Sequence, residues 1–272
     1  VSTRLLIMDA NMLKLNWFNS KKHTQTRFIE INKTYFKVQN HWFWIEYEKT
    51  GWEPQTYNIF KQFVSPDAVY IDVGTWVGMT IVFAAELGYK QIYGIEANPE
   101  SFAIVKQNCA YNKSTLSADL SNLCVTNVDG GMVDFGGKIK NGTSSASSIR
   151  GHDWKIPSTK LSSFIKNKNL FGKKLIIKID IEGAEELILD DLKNLSDYTV
   201  FLALHPPFFK DLKNTAEKIV SVSNKWKNMR DAKMNPLNNE KLFAMLTSDI
   251  KNPSWGTKFG NFFEILLTNE TI

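Results

Sequence analysis

Val69-Tyr-Ile-Asp72-Val-Gly74-Thr75-Trp-Val-Gly78 decides the fold. The run from Val69 to Val73 is short, apolar and β-branched, the signature of a buried strand, and Gly74 and Gly78 then allow a tight turn into a helix. Further on, Gln91-Ile-Tyr-Gly-Ile-Glu96 reads as a second strand that ends in an acid. Strand, glycine turn, helix, strand and acid, in that order, is how a Rossmann-like α/β fold holds an adenosine-bearing cofactor. The ligand lies against the turn and the helix N-terminus, and Glu96, roughly 20 residues on, accepts the ribose hydroxyl protons.

The first position of the turn selects among cofactors. Dinucleotide sites favour GxGxxG, whose first glycine starts the turn and whose second clears room for a pyrophosphate. Asp72 would repel a pyrophosphate and suits a cationic ligand. S-adenosylmethionine has an ammonium, a sulfonium and no phosphate, so the sequence favours a methyl donor over NAD. The cofactor residues expected are Asp72, Gly74, Thr75 and Gly78 in the turn, Glu96 and Ala97 after the second strand, and Asp129. Residues 123–128 read as the next strand, which puts Val128 and Asp129 at the ligand-binding edge, with Asp129 reaching the adenine amino group. A plain Asp-Gly turn at Asp129-Gly130 is the other reading.

Downstream, Leu175-Ile-Ile-Lys178-Ile-Asp180-Ile-Glu182-Gly-Ala-Glu185 reads as a buried strand running into a helix from about Ala184 to Leu195. Alternation puts Lys178, Asp180 and Glu182 on one side and the isoleucines on the other. Three ionisable groups beside a buried strand are costly unless paired or used. Their bland reading is a Lys178 to Asp180 ion pair with helix-dipole acids at Glu182 and Glu185. Thr199-Val-Phe-Leu-Ala-Leu-His205-Pro206 is another apolar strand, with an imidazole at its exit suited to proton transfer near neutrality.

Around these strands the chain alternates β and α. A short helix carries Tyr57, Phe60 and Val64, residues 79–87 form a helix stopped by Gly88, and Asn98-Pro99 caps and opens another, so the sheet is expected to be parallel. Residues 1–50 differ: Arg27-Phe-Ile-Glu-Ile, Thr34-Tyr-Phe-Lys-Val and His41-Trp-Phe-Trp-Ile-Glu-Tyr read as a small antiparallel meander. Trp42, Phe43 and Trp44 fit packing or a subunit interface better than a stacking platform, which leaves a homo-oligomer open. Residues 141–150 are small and polar and make a candidate lid or a plain surface loop. Lys241-Leu-Phe-Ala-Met-Leu and Phe262-Phe-Glu-Ile-Leu-Leu read as two closing strands, the last pair antiparallel.

With 272 residues, 43% hydrophobic and 22% charged, the chain can bury a sizeable core. The expected division is a β-rich extension at 1–50 and one catalytic domain at 51–272. No apolar run approaches the roughly 20 residues that span a bilayer, and no charged-then-apolar leader opens the chain, so a cytoplasmic protein is expected. The start at Val1 leaves open a longer polypeptide. Cys109 and Cys124 have no metal-ligand spacing. The net charge of +5 comes from scattered lysines, not a basic run, and reads as a solvated surface.

On Trp52-Glu-Pro, Asp72-Val-Gly-Thr-Trp-Val-Gly78, Glu96-Ala-Asn-Pro, Ser144-Ser145, Lys178-Ile-Asp-Ile-Glu-Gly-Ala-Glu185 and Leu204-His205-Pro206, the chain resembles the FkbM family of S-adenosylmethionine-dependent methyltransferases. The resemblance implies a class I methyltransferase fold, Rossmann-like, with a seven-stranded, mostly parallel sheet whose last strand is antiparallel. It also implies O-methylation of a hydroxyl on a sugar, nucleotide-linked sugar, glycan or related small molecule, as in carbohydrate biosynthesis. The family often carries an acid two residues before the histidine; this chain has Ala203 there, which shifts weight to His205 and Asp180. On this reading His205 or Asp180 is the base, and Lys178 and Glu182 orient the acceptor. A divalent metal on Asp180 and Glu182, joined by His205, is left uncommitted. Two rival functions remain. A nucleic-acid methyltransferase draws on the basic charge and the N-terminal aromatics. A non-catalytic module in a larger biosynthetic protein is opposed by the intact turn, Glu96 and the 178–185 string.

Overall fold

The computed structural model describes residues 26–136, 151–248 and 262–271. In chain order it contains β1 (Thr26–Ile31), β2 (Thr34–Gln39), α1 (Trp42–Thr50), α2 (Pro54–Phe63), β3 (Val69–Val73), α3 (Met79–Leu87), β4 (Gln91–Ile95), α4 (Pro99–Tyr111) and β5 (Asp119–Ser121). There follow β6 (Cys124–Val125), β7 (Met132–Phe135), β8 (Trp154–Thr159), α5 (Leu161–Asn167), β9 (Leu175–Ile179), α6 (Glu185–Leu192), β10 (Thr199–Leu204), α7 (Leu212–Ser223), β11 (Asn228–Asp231), α8 (Asn239–Thr247) and β12 (Phe263–Thr268).

Seven strands form one sheet in the order β11-β12-β10-β9-β3-β4-β5. Neighbours from β10 to β5 are parallel, and β12 runs antiparallel to both β10 and β11. This is the class I methyltransferase arrangement that the FkbM resemblance implies. Every residue of β3, β9 and β10 is buried, as a parallel sheet covered on both faces requires. Alternation divides the side chains between two cores. Val69, Ile71, Val73, Ile177, Ile179, Val200 and Leu202 pack against α5 to α8 on one face. Tyr70, Ile176, Phe201 and Leu266 pack against α1 to α4 and the β1–β2 hairpin on the other. Asp72, Lys178 and Ala203 fall by the same period on this second face, beyond its apolar residues toward the carboxyl ends of the strands.

Three expected elements differ. The stretch from His41 is helix α1, not a third strand of the meander: His41 Nδ1 accepts from the Phe43 backbone N–H at 3.2 Å, and Gly51 closes the helix at φ 65°. Phe43, Trp44 and Tyr47 pack on the shared core at helical spacing, and that burial outweighs the strand propensity of an aromatic run. Lys241 to Leu246 lies in α8, where the Asn238 side chain accepts from the Lys241 backbone N–H at 2.8 Å and Leu242 and Leu246 bury one turn apart. Between 123 and 128 only Cys124–Val125 is strand, and it pairs with β8 in a separate three-stranded sheet. The edge of the main sheet is instead β5, whose polar sequence gave no strand signal.

The N-terminal hairpin is held by α4. Asn108 and Asn112 accept from the backbone N–H groups of Gln39 and Lys37, each at 2.8 Å, and Asn112 Nδ2 donates back to the Lys37 carbonyl at 2.7 Å. The free side of β2 is thereby satisfied by side chains. The candidate lid at 141–150 and the loop around Trp255 lie outside the described residues.

Candidate active site

The turn after β3 is shaped first by the chain's own packing. A Cβ on Gly74 would lie 1.9 Å from the Asp180 carbonyl oxygen, and one on Gly78 would lie 2.6 Å from Val105 Cγ2; both residues have positive φ, 87° and 92°. Glycine is required at each for close approach as well as for backbone freedom. The Gly74 and Thr75 N–H groups donate to the Ile95 carbonyl at 2.8 and 3.2 Å, which ties the turn to the end of β4. Glu96 follows directly. Its two carboxylate oxygens accept from the backbone N–H groups of Trp76 and Asn98, each at 2.7 Å. Burial pushes this carboxyl up to about 7, against the lowering effect of those two donors. Each oxygen keeps a second lone-pair direction for a ligand hydroxyl.

Asp72 is fully buried and lies inside the wall of the site. It accepts from the Thr80 hydroxyl, and its Oδ1 stands 4.0 Å from Lys178 Nζ with no hydrogen-bond partner among the described residues. Burial raises its carboxyl above the usual range, against the pull of Lys178. The Thr75 hydroxyl is likewise buried with no hydrogen-bond partner among the described residues. Ala97 offers its carbonyl to Asn122 Nδ2 at 3.1 Å, and the same amide donates to the Glu96 carbonyl at 2.7 Å. Asn122, beyond β5, thus stands where Val128 and Asp129 were expected. Val128 is exposed, and Asp129 accepts from the Lys160 N–H at 2.8 Å and the Ser163 hydroxyl at 2.7 Å, so it is tied to the start of α5. The reason is the reassigned strand: with β5 at the sheet edge, Asp129 belongs to the turn between β6 and β7.

The second half of the site is at the ends of β9 and β10. Register sets Lys178 opposite Asp72 on one side and Phe201 on the other. Lys178 Nζ donates to Asp180 Oδ2 at 3.0 Å, the ion pair foreseen in the bland reading. Burial works against the ammonium, yet Asp180, Asp72 and Glu53 outweigh it and raise Lys178 above its usual value. His205 is 6% exposed. Its Nδ1 lies 3.0 Å from Glu185 Oε1, and its Nε2 lies 3.6 Å from Asp180 Oδ1 and 3.7 Å from Glu182 Oε2. Burial pushes the imidazole down, but Glu185, then Glu182 and Asp180, carry it up to about 10. The structure therefore brings Lys178, Asp180, Glu182 and His205 together, as the sequence predicts.

Three glutamates at this edge are not among the site residues the sequence predicts. Glu185, with no exposed surface, starts α6 and accepts from the Gly183 N–H at 3.2 Å as well as facing His205. Glu264 is the β12 partner of Ala203, so a neighbouring strand supplies a carboxyl beside the position where β10 has only a methyl group. Burial, then Glu53 and Asp180, push Glu264 up to about 7. Glu53 caps α2 at φ 46° and feels both Lys178 and Asp180; burial raises it. A charged residue inside the apolar run Phe-Phe-Glu-Ile-Leu was the available signal for Glu264. Glu53 and Glu182 are both non-glycine residues at positive φ, as is Trp76 at 49°. Backbone held in this costly region at one edge of a sheet is typical of a functional site.

Residues 66–224, more than half of the chain, match the model of the methyltransferase FkbM domain. No curated protein matches the chain in sequence. Among solved structures, the fold is similar to a TehB-like SAM-dependent methyltransferase from Corynebacterium glutamicum, at 10% identity and TM-score 0.44, covering 84% of this chain and 95% of that one. It is also similar to a Pyrococcus abyssi tRNA (uracil-54, C5)-methyltransferase in complex with S-adenosyl-L-homocysteine, at 9% identity and TM-score 0.43, covering 90% of this chain and 44% of that one. The M. capricolum TrmK, in complex with S-adenosyl-homocysteine, gives 13% identity and TM-score 0.40, over 79% and 68% of the two chains. The sheet order, the turn that Gly74 and Gly78 close and the span of the family match agree: this chain belongs to the FkbM methyltransferase family.

Proposed function

We propose that this methyltransferase transfers the methyl group of S-adenosylmethionine to a hydroxyl of a sugar, nucleotide-linked sugar, glycan or related small molecule. The observation that supports this reading is the pairing of Asp180 and His205, 3.6 Å apart, at the sheet edge just beyond the turn that faces Glu96. S-adenosylmethionine fits the first half of the site: Glu96 offers a doubly anchored carboxylate to the ribose, and Thr75 Oγ1 is a buried polar atom with no hydrogen-bond partner among the described residues. When bound, the cofactor supplies a methyl group on a sulfonium, ready for displacement by an oxygen nucleophile.

What the chain must add is position and proton removal. Asp180 is the more open of the pair, its side chain 27% exposed against 8% for His205, so it meets the acceptor hydroxyl and takes its proton with His205 alongside. Lys178 fixes Asp180 Oδ2 and leaves Oδ1 facing the site. Glu182 orients a further hydroxyl. Among the described residues, carboxylates outnumber cations at this edge, which disfavours a phosphate backbone and so stands against the nucleic-acid reading. Methyl transfer from labelled S-adenosylmethionine to a panel of neutral glycosides is the test. The expected result is turnover that Asp180→Asn lowers at least 100-fold in kcat with S-adenosylhomocysteine affinity unchanged. Transfer to RNA with none to any glycoside would overturn the reading.

A further inference from the structure

Among the described residues, three carboxylates gather around His205: Glu185 at 3.0 Å, Asp180 at 3.6 Å and Glu182 at 3.7 Å. Glu53 and Glu264 act on the same edge, each feeling the charge of Asp180. Lys178 is already engaged by Asp180 and Asp72. Partly buried like charges this close together are costly unless paired with cations.

The imidazole is built as a metal ligand is built. Its Nδ1 is taken by Glu185, a carboxylate with no exposed surface that the Gly183 N–H also holds in place. A histidine whose Nδ1–H donates to a buried carboxylate presents Nε2, once a metal ion displaces its proton, as a fixed, basic lone pair, the usual outer-shell arrangement of metal-bound histidine. That Nε2 points between Asp180 Oδ1 and Glu182 Oε2 at 3.6 and 3.7 Å, beyond hydrogen-bond length to either. One donor atom from each of the three residues lies within 4.8 Å of the others. Bonds of about 2.1 Å to a shared ion would draw such atoms to roughly 3.0–3.4 Å, a small closure from this geometry. Glu182 is aimed there from a backbone at φ 53°, and the stacked rings of His205 and Phe208 leave the imidazole little freedom to turn away.

We propose that Asp180, Glu182 and His205 bind one divalent cation, with Glu185 as the outer residue that orients His205. Two carboxylates and one imidazole suit an ion between hard and borderline, of the Mn²⁺ or Mg²⁺ kind, that keeps open positions for oxygen ligands. The inference deepens the O-methylation reading and rests on it. A hydroxyl bound to the ion would become more acidic; its proton, which the reading without an ion gives to Asp180, would leave to solvent at this partly exposed edge while Asp180 and His205 hold the ion.

Titration of the whole chain with Mn²⁺, followed by loss of the free-ion electron paramagnetic resonance signal and by calorimetry, tests this. One saturable site is expected. Glu182→Gln and His205→Gln should weaken it at least 10-fold. Glu185→Gln, which removes no ligand atom, should weaken it about 10- to 100-fold. Asp190→Asn, at an exposed ion pair with Lys193 on α6, should leave it unchanged. S-adenosylhomocysteine binding on the same samples separates the two ideas: Mn²⁺ failing to bind while the cofactor product binds normally sinks the metal site alone. Failure of the cofactor product sinks the functional reading. Should His205→Gln not fold, Glu182→Gln at its partly exposed position decides. Mn²⁺ binding that none of the three substitutions weakens overturns the proposal, as does no saturable binding at millimolar ion.

Discussion

Glu96 is a buried carboxyl whose desolvation is only partly offset by two backbone N–H groups, from Trp76 and Asn98. Since burial holds it up to about 7, well above the ordinary carboxyl value, it favours the folded state in its protonated form. That contribution is present below the unfolded value and lost as pH rises through about 7. A ribose needs the ionised form as acceptor, so the affinity for S-adenosylhomocysteine should fall as pH drops from 8 to 6, measured by calorimetry. Glu96→Gln should weaken it about 10-fold or more and flatten that dependence, since a charged hydrogen bond contributes about 1.5–3 kcal/mol. At Gly74 the expectation concerns the fold alone. With φ at 87° and the Asp180 carbonyl oxygen 1.9 Å from where a Cβ would stand, Gly74→Ala should cost about 3 kcal/mol or more, read as the loss of a cooperative melt near the wild-type midpoint.

At the scale of elements, α4 does two jobs. Its Val105 packs under Gly78 at the start of α3, and its Asn108 joins β2 to the turn, accepting from the Gln39 N–H at 2.8 Å and donating to the Val77 carbonyl at 3.0 Å. Asn108→Ala leaves the buried Val77 carbonyl and the part-buried Gln39 N–H without these partners, at about 1–3 kcal/mol each at most. Hydrogen exchange should then speed up at Gln39 and around the 74–78 turn while β9 and β10 stay protected. These elements also show what the sequence made legible. Strands β3, β4, β9 and β10 were readable because buried parallel strands are continuous apolar runs and glycine, acid or proline marks their ends. Helix α1 was not, because Trp-Phe-Trp-Ile satisfies strand propensity and its helical spacing emerges only once Phe43 and Trp44 have a core to enter. Strand β5 was hidden by its polar composition, and misplacing it carried Asp129 to the wrong edge.

Across the whole molecule, the site is made by register. Lys178, Asp180 and His205 were legible from their own strands. Glu264 was not, since its place beside Ala203 depends on how β12, running backwards, pairs with β10. Glu53 reaches the same edge from the cap of α2, well before β3 in the chain. No helix of the described residues is long and apolar enough to cross a membrane. The chain is net basic while the acceptor edge is acidic, so overall charge and site charge give opposite forecasts for an anionic substrate. The site should prevail in turnover: adding a phosphate near the methylated hydroxyl of an otherwise accepted glycoside should raise KM by about 10-fold or more, in steady-state assays at low salt.

On the proposed function, donor and acceptor meet between the Glu96 turn and the ends of β9 and β10. A crystal structure with S-adenosylhomocysteine tests it most directly. The ribose hydroxyls are predicted within hydrogen-bond distance of both Glu96 oxygens, with the sulfur facing Asp180 and His205 across a gap that admits one hydroxyl. A ribose away from Glu96, or a sulfur turned from the Asp180–His205 edge, would contradict it.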